Sequence, residues 1–132
     1  MSNSIELDSA PIRYSIKGLV QKNLGRGTKL GYPTANLKLD IDIPDGIYAA
    51  TVFLNGVKKP SLAFVGAAET FGDKDKKLEV YILDFSGDLY GQEIVVDLTH
   101  KFRDNIKFNS ERELIEQMKE DEQAVREYFE GR

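Results

Sequence analysis

The feature that most constrains the fold is a succession of short apolar segments, each followed by a turn signal. The clearest is GIYAATVFL (46–54), which runs into Asn55-Gly56, the dipeptide most typical of a two-residue hairpin. We expect SLAFVG (61–66) to be the returning strand, with Pro60 confined to its start or to a sheet edge. Together with the remaining segments of strand type, this pattern predicts about six strands; those segments are RYSIKGLV (13–20), TANLKLDI (34–41), LEVYILDF (78–85) and LYGQEIVVDLTHKF (89–102).

The spacing of apolar residues changes near the C-terminal end of the sequence. There the apolar residues recur at helical intervals, as Leu114, Met118, Val125 and Phe129. Ser110 and Glu113 fit a capping box, in which each side chain satisfies a backbone amide at the start of a helix. These signals predict one amphipathic helix from about residue 110 to about residue 129.

With a single helix, the strands must cover themselves, which favours a closed or nearly closed barrel over an open sheet. The expected fold is therefore mainly β: a six-stranded antiparallel, Greek-key-like barrel, with the helix packed outside it or plugging one end. A chain of 132 residues is the size of one domain. We assign residues 1–11 to a polar tail or linker remnant and residues 12–132 to the barrel domain.

Composition narrows the classes of function. The net charge of −4 argues against a general binder of nucleic acids or anionic membranes, whose surface is normally basic. The absence of cysteine excludes disulfides and thiolate metal sites, and a single histidine (His100) argues against a multi-histidine metal site. The sequence contains neither a signal peptide nor an apolar run long enough to span a membrane, so we expect a cytoplasmic protein.

The glycine-rich segment LGRGTKLGYPTANL (24–37) allows two interpretations. Its spacing, G-x-G-x-x-x-G, matches neither a Walker A loop nor a dinucleotide-binding fingerprint, so spacing alone favours an ordinary connection between strands. The alternative is a basic flap over phosphate, because Lys22, Arg26 and Lys29 lie close together in an otherwise acidic protein. Glycines would let the flap's backbone approach an anion closely.

Thr34 and Asn36 follow that segment, two residues apart, so on a strand they point to the same face. A hydroxyl oxygen and an amide oxygen side by side are ligands suited to Mg²⁺. The same residue types also cap loops by bonding to backbone amides. The local sequence does not separate a metal site from a loop cap.

Glu79 lies within LEVYILDF, where both alternating sets of residues are largely apolar. We therefore expect this strand to be covered on both sides and Glu79 to have apolar neighbours. A carboxylate in such surroundings either pairs with a cation or has a raised pKa, as a general base near neutral pH requires. The alternative is an edge strand at the barrel rim with Glu79 in water. Arg103 and Asp104, just before the predicted helix, are either surface charges or, for Arg103, a contact to a planar ligand.

Six blocks, in order and at consistent spacing, resemble the riboflavin kinase (flavokinase) family of the ATP-dependent bacterial and eukaryotic type, including the kinase module of bifunctional bacterial FAD synthetases. They cover roughly residues 14 to 126. The blocks are GLV (18–20), GRGTKLGYPTAN (25–36), PDGIY (44–48), EVYILDF (79–85), DLYGQ (88–92) and FRDNIKFNSEREL (102–114).

The resemblance implies a six-stranded barrel with a C-terminal helix and the transfer of the ATP γ-phosphate to the 5′-hydroxyl of riboflavin, giving FMN and ADP with Mg²⁺. It implies that Glu79 is the catalytic base and contacts the flavin, and that Thr34 and Asn36 bind both the metal and the nucleotide. The other nucleotide-binding residues that it implies are Gly25, Arg26, Gly27, Lys29 and Pro33; the other flavin-binding residues are Arg103, Leu114 and Met118.

The partners implied are riboflavin or FMN and ATP or ADP, with no nucleic acid and no membrane. Many bacterial relatives carry a nucleotidyltransferase domain before the kinase domain, so we expect either a stand-alone kinase or a module excised from, or associated with, an FAD synthetase. Two alternatives are a non-catalytic flavin-binding carrier barrel and, with less support, a nucleic-acid-binding barrel that uses the basic flap.

Overall fold

The computed structural model describes residues 14–22, 31–67 and 76–131. The predicted antiparallel six-stranded barrel and single helix are confirmed within these residues. The elements are β1 (Tyr14–Leu19), β2 (Ala35–Lys38), β3 (Gly46–Leu54), β4 (Val57–Gly66), β5 (Lys77–Ile82), β6 (Glu93–Arg103) and α1 (Glu111–Glu130).

The strands form one sheet in the order β1-β6-β3-β4-β5-β2. Strands β3, β4 and β5 follow one another as antiparallel neighbours, and β6 returns to lie beside β3, which is a Greek key. An isolated bridge between Gln21 and Asn36 joins the two ends of the sheet, with the Gln21 amide donating to the Asn36 carbonyl over 2.8 Å. The barrel is therefore nearly closed where the residues just after β1 meet β2.

The hairpin between β3 and β4 turns at Asn55-Gly56, as predicted. Both residues have positive φ (52° and 80°), the conformation of the turn whose twist matches the flanking strands. Strand β4 begins at Val57, earlier than predicted, so Pro60 lies inside it. The Pro60 carbonyl accepts from Leu83, beyond the end of β5, and pairing with β5 begins only at Ser61. The Pro60 nitrogen, which has no hydrogen to donate, therefore lies on the β5 side just before the pairing with β5 begins. No hydrogen bond between the two strands is lost.

Strand β2 is shorter than the alternation of Leu37, Leu39 and Ile41 predicts. It ends at Lys38, and Ile41 is 52% exposed. The chain leaves the sheet there and inserts Ile43 into the core, where that side chain is fully buried. The predicted alternation therefore holds only for the first half of the segment.

The barrel interior is the main core, and its largest fully enclosed side chains come from most of the strands. They are Leu37, Leu78, Ile94, Leu98, Val52, Val65, Val80 and Val96, and Ile43 joins them from the segment after β2. A second apolar cluster lies outside the barrel beneath the helix; its buried members are Ile47, Leu62, Leu83 and Val125. The helix packs on β3 and β4 through this cluster, which places it on the outer face of the barrel.

Helix α1 begins where the capping box predicts. Ser110 is the N-cap, and its hydroxyl accepts from the Glu113 amide over 3.2 Å. The Glu113 carboxylate accepts from the amide of Asn109, one residue before the cap, over 3.2 Å. None of the described segments forms a helix with both the length and the apolar character needed to cross a bilayer.

Candidate functional site

The register of the sheet aligns several predicted site residues in one row across the outer face of the barrel. Asn36 on β2 pairs with Glu79 on β5, and Glu79 pairs with Phe64 on β4. Phe64 pairs with Ile47 on β3, which pairs with Arg103 on β6. Directly opposed residues of neighbouring strands share a face, so the residues expected to bind metal, act as base and contact flavin lie along one line. We call Asn36, Glu79, Phe64, Ile47 and Arg103 the outer row.

Glu79 sits inside the sheet rather than at its edge, because β5 is hydrogen-bonded to β4 on one side and to β2 on the other. The prediction of an apolar cover on both faces of this strand is only half right. Leu78, Val80 and Ile82 are buried in the barrel, whereas Glu79 and Tyr81 are half-buried on the outer face. The helix packs mainly on β3 and β4, and Glu79 on β5 stays half-buried.

Thr34 and Asn36 both lie against Glu79. The Thr34 hydroxyl donates to Glu79 Oε1 over 3.1 Å. Asn36 is 7% exposed, and its Oδ1 has no hydrogen-bond partner among the described residues. A buried carbonyl oxygen without a donor is unfavourable unless a ligand supplies the missing contact. The loop-capping alternative therefore does not account for the Asn36 amide oxygen.

The side-chain oxygens of Thr34, Asn36 and Glu79 suit a hard cation that takes most of its ligands from water or substrate. A hydroxyl, an amide oxygen and a nearby carboxylate suit Mg²⁺, which keeps waters and phosphate oxygens in its shell. Among residues 14–22, 31–67 and 76–131, no three His, Cys, Asp or Glu side chains cluster as metal ligands. The residues present thus suit a metal–nucleotide complex better than a free ion.

A pocket of about 210 Å³ opens beside Thr34 at one end of the barrel. Its floor is apolar, formed by Val20, Val80 and Ile82; one wall comes from 33–35 and the other from 85–89. Pockets that hold whole drug-sized ligands are typically ~300–1,000 Å³, so this one would accept part of a larger ligand. Pro33 and Thr34, predicted to bind nucleotide, line it; the wall at 85–89 was missed, although its turn residues and the DLYGQ block marked it in the sequence.

Arg103 belongs to the outer row, but its guanidinium is hydrogen-bonded to helix α1. Its Nε and one terminal nitrogen donate to the two carboxylate oxygens of Asp121 over 2.9 and 2.6 Å. Another nitrogen donates to the Asp104 carbonyl over 2.9 Å. Asp121 is 6% exposed, so this is a nearly buried, bidentate ion pair. The predicted surface charge is a structural link between β6 and α1.

Leu114 and Met118 lie in the first half of α1 and are half-buried. Neither belongs to the two apolar clusters formed by the described residues, whereas Val125, further along the same stripe, is fully buried. The first half of the stripe therefore stays partly exposed, and the second half packs the helix against the barrel. The remaining predicted nucleotide contacts, Gly25, Arg26, Gly27 and Lys29, lie outside the described residues, as does the predicted tail at 1–11.

The comparisons with known proteins agree on the family. A family model described as flavokinase, riboflavin kinase, matches residues 10–129. The bifunctional riboflavin kinase/FMN adenylyltransferase of Listeria monocytogenes is 39% identical over 120 residues, which cover 88% of this chain and 38% of that protein. The RNA-binding riboflavin kinase of Bacillus subtilis is 33% identical over 117 residues, covering 87% of this chain and 51% of that protein.

The fold is also found among solved structures. The crystal structure of riboflavin kinase from Trypanosoma brucei superposes with a TM-score of 0.63 at 24% identity, covering 92% of this chain and 82% of that one. That likeness concerns the fold. The chain spans well under two thirds of the Listeria and Bacillus proteins, 38% and 51% of their lengths. Since the family model covers nearly all of the sequence, the chain belongs to the riboflavin kinase family.

Proposed function

We propose that the protein is an ATP:riboflavin 5′-phosphotransferase, which makes FMN and ADP. The observation that carries this proposal is the position of Thr34. Thr34 lines the pocket at the end of the barrel, and its hydroxyl donates a hydrogen bond to Glu79, the second member of the outer row. A nucleotide in the pocket and a flavin along the row would meet at these two side chains, where a phosphoryl group could pass between them.

The nucleotide would enter through the pocket, with its base against the apolar floor and its phosphates toward Thr34. Asn36 Oδ1, which is buried and accepts no hydrogen bond from the described residues, would bind a phosphate-bound Mg²⁺. When bound, the metal would neutralise charge on the phosphate oxygens. Lys29 and the GRG segment (25–27) supply backbone amides and cations for the same phosphates in this proposal.

Glu79 would act as general base. Its Oε1 accepts the Thr34 hydrogen bond, which holds the carboxylate in place for the 5′-hydroxyl of the ribityl chain. As that hydroxyl oxygen bonds to the γ-phosphorus, the bond from phosphorus to the bridging oxygen of ADP breaks and the hydroxyl proton moves to Glu79. Phosphoryl transfer requires this alignment and charge neutralisation rather than a covalent intermediate with the protein.

The flavin ring would lie against Glu79 and Phe64, since Ile47, the next member of the outer row, is buried beneath the helix. Phe64 is half-buried next to Glu79 and offers an aromatic surface, while Leu114 and Met118, half-buried in the first half of α1, would add apolar contacts. Arg103 would contribute by holding the loop and helix in place through Asp104 and Asp121. The ring's planar, apolar faces suit this lining, and the polar ribityl end suits Glu79.

The activity is tested by incubating the protein with riboflavin, Mg²⁺ and a panel of nucleoside triphosphates, with FMN measured by chromatography. We expect FMN with ATP and none when Mg²⁺ is chelated. Riboflavin binding without FMN from any nucleotide would instead support the carrier barrel. Since one relative is named as RNA-binding, a salt titration with an RNA oligonucleotide belongs beside this assay; we expect no binding at physiological salt.

The proposal also has a cellular setting. We place the reaction in the cytoplasm. The relatives named as bifunctional join a riboflavin kinase to an FMN adenylyltransferase. FMN made by this chain would be the substrate of such an enzyme, so we propose an FAD synthetase module as its functional companion, fused or separate.

A further inference from the structure

Four side chains outside the pocket form a continuous chain of hydrogen bonds through the helix. The Tyr32 hydroxyl donates to Glu122 Oε1 over 3.0 Å, and Glu122 Oε2 accepts from Arg126 Nε over 2.9 Å. The two terminal nitrogens of Arg126 donate to the two carboxylate oxygens of Asp84 over 3.0 and 2.9 Å. Glu122 and Arg126 are one turn apart on α1, so the helix carries the middle of the chain.

The two ends of this chain adjoin the two walls of the pocket. Tyr32 immediately precedes Pro33 and Thr34, and Asp84 immediately precedes Phe85 and the rest of the wall at 85–89. None of the four linked residues lines the pocket. The helix therefore connects the two walls through residues that lie outside the pocket.

Each attachment is geometrically constrained. The Tyr32 ring is 7% exposed and packs edge-on against Tyr81, with centroids 5.1 Å apart, so its hydroxyl has a defined direction. Asp84 has a left-handed backbone (φ 56°), which turns the chain sharply out of β5. A planar, bidentate Arg–carboxylate pair fixes both distance and orientation. Beside it, Leu83 is buried in the cluster that also contains Val125.

We propose that Glu122 and Arg126 are positioning residues for the nucleotide pocket, bracing its two walls against each other through Tyr32 and Asp84. This inference rests on the proposed nucleotide site and adds to it a group of residues that never touch the ligand. The brace sets the width of the pocket, so nucleotide affinity depends on it. The affinity for flavin should not depend on the brace, because none of its four residues belongs to the outer row.

The geometry separates this role from plain stabilisation of the fold. Asp84 is 76% exposed and Arg126 is 30% exposed at the side chain. Ion pairs this accessible contribute little to folding stability. Loss of the pair should therefore move nucleotide affinity more than it moves the unfolding transition.

The first test compares Arg126→Gln with Arg112→Gln. Arg112 pairs with Glu116 on the same helix, also four residues apart and over 3.3 Å, but it is exposed and lies outside the Tyr32–Asp84 chain. We measure the Kd of Mg·ADP by calorimetry, the KM values for ATP and for riboflavin, and the unfolding midpoint. For Arg126→Gln, Kd and the KM for ATP should rise roughly 2- to 30-fold, while the KM for riboflavin and the midpoint stay with those of Arg112→Gln.

The second test uses Asp84→Asn and Tyr32→Phe, alone and combined, since neither alters the charge of the helix. If the brace couples the walls, the two effects on Kd are not additive, and they become additive in the Arg126→Gln background. Arg126→Lys, which keeps the charge but loses the planar fork, should restore the affinity only in part.

Three results would overturn the inference in different ways. Native protein that binds Mg·ADP, with Arg126→Gln and Asp84→Asn binding it equally well, would remove the positioning role and leave the proposed function intact. Arg126→Gln that loses stability together with the affinity for both substrates would show a structural role only. Native protein that binds no Mg·ADP would overturn the proposed function and this inference with it.

Discussion

The Thr34 hydroxyl donates to Glu79 Oε1 over 3.1 Å, although 45 positions separate the two residues. The contact follows from the sheet register, since Asn36 pairs directly with Glu79 and Thr34 lies two residues earlier on the same face. One strand thus carries the proposed base, and the segment entering its neighbour carries the residue that we propose orients it. The pocket wall and the outer row join at this bond.

Replacing Thr34 with Val removes the hydroxyl and preserves the shape of the side chain. We expect FMN turnover to fall roughly 10- to 100-fold, as is typical when a supporting hydrogen bond to a site residue is lost. Thr34→Ser, which keeps the hydroxyl, is the matched control and should retain most of the rate. Equal turnover in Thr34→Val and the native protein would show that the bond does not orient Glu79.

Asn36 offers a test of the proposed metal site that is separable from folding. Asn36→Leu keeps the approximate volume and removes the buried oxygen that has no partner among the described residues. Folding stability should stay within about 1 kcal/mol, because Oδ1 accepts no hydrogen bond from the residues that the structure describes. Calorimetry should show that the advantage of Mg·ADP over metal-free ADP is largely gone. Retention of that advantage would place the metal elsewhere.

Arg103 should matter more for stability than its predicted role as a flavin contact suggests. Arg103→Met leaves the nearly buried Asp121 carboxylate without its bidentate partner, and we expect a loss of about 3 kcal/mol in urea unfolding. The double variant Arg103→Met/Asp121→Leu removes both charges and should recover much of that loss. A double variant as unstable as the single one would contradict a role centred on this pair.

Stability should fall in alkaline solution, and Tyr32 should contribute to the fall. Burial and the hydrogen bond to Glu122 raise the pKa of Tyr32 from 10.0 to about 12. Between these values the unfolded chain loses the phenol proton while the folded protein keeps it, so the free energy of unfolding decreases as pH rises from 10 to 12. The pKa values of Tyr48 and Tyr81 are also raised by burial, which adds to the slope.

Urea unfolding at pH 9 and pH 11 measures that slope. Tyr32→Phe has no phenol at this position, so its stability should depend less steeply on pH than that of the native protein. Tyr14→Phe is the control, because Tyr14 lies on β1, away from the helix. Identical slopes for the native protein and Tyr32→Phe would contradict the burial of this hydroxyl.

The elements could be predicted from the sequence where one local signal decided them. Asn55-Gly56 specified the hairpin, and the Ser110–Glu113 box specified the start of the helix, because turn and cap chemistry act within a few residues. The exposed position of Ile41 was not predicted. Alternation alone does not reveal where a strand leaves the sheet, and here Ile43 enters the core instead.

The candidate site was only partly predictable for the same reason. Thr34, Asn36 and Glu79 were identified from motif resemblance, but their alignment in one row depends on the pairing of β2 with β5, which is a non-local property. The ion pair between Arg103 and Asp121 depends on where the helix returns to the barrel, and no local signal marks it.

The most direct test of the account is the rate of FMN formation by Glu79→Gln, measured beside the native protein with saturating Mg·ATP and riboflavin. The amide keeps the size of the side chain and cannot accept the hydroxyl proton. We expect FMN from the native protein, a rate lower by about 10²- to 10⁴-fold in the variant, and a riboflavin Kd by fluorescence within a few-fold of native. A variant that turns over at the native rate would contradict the role of Glu79, and a native protein that forms no FMN would contradict the kinase itself.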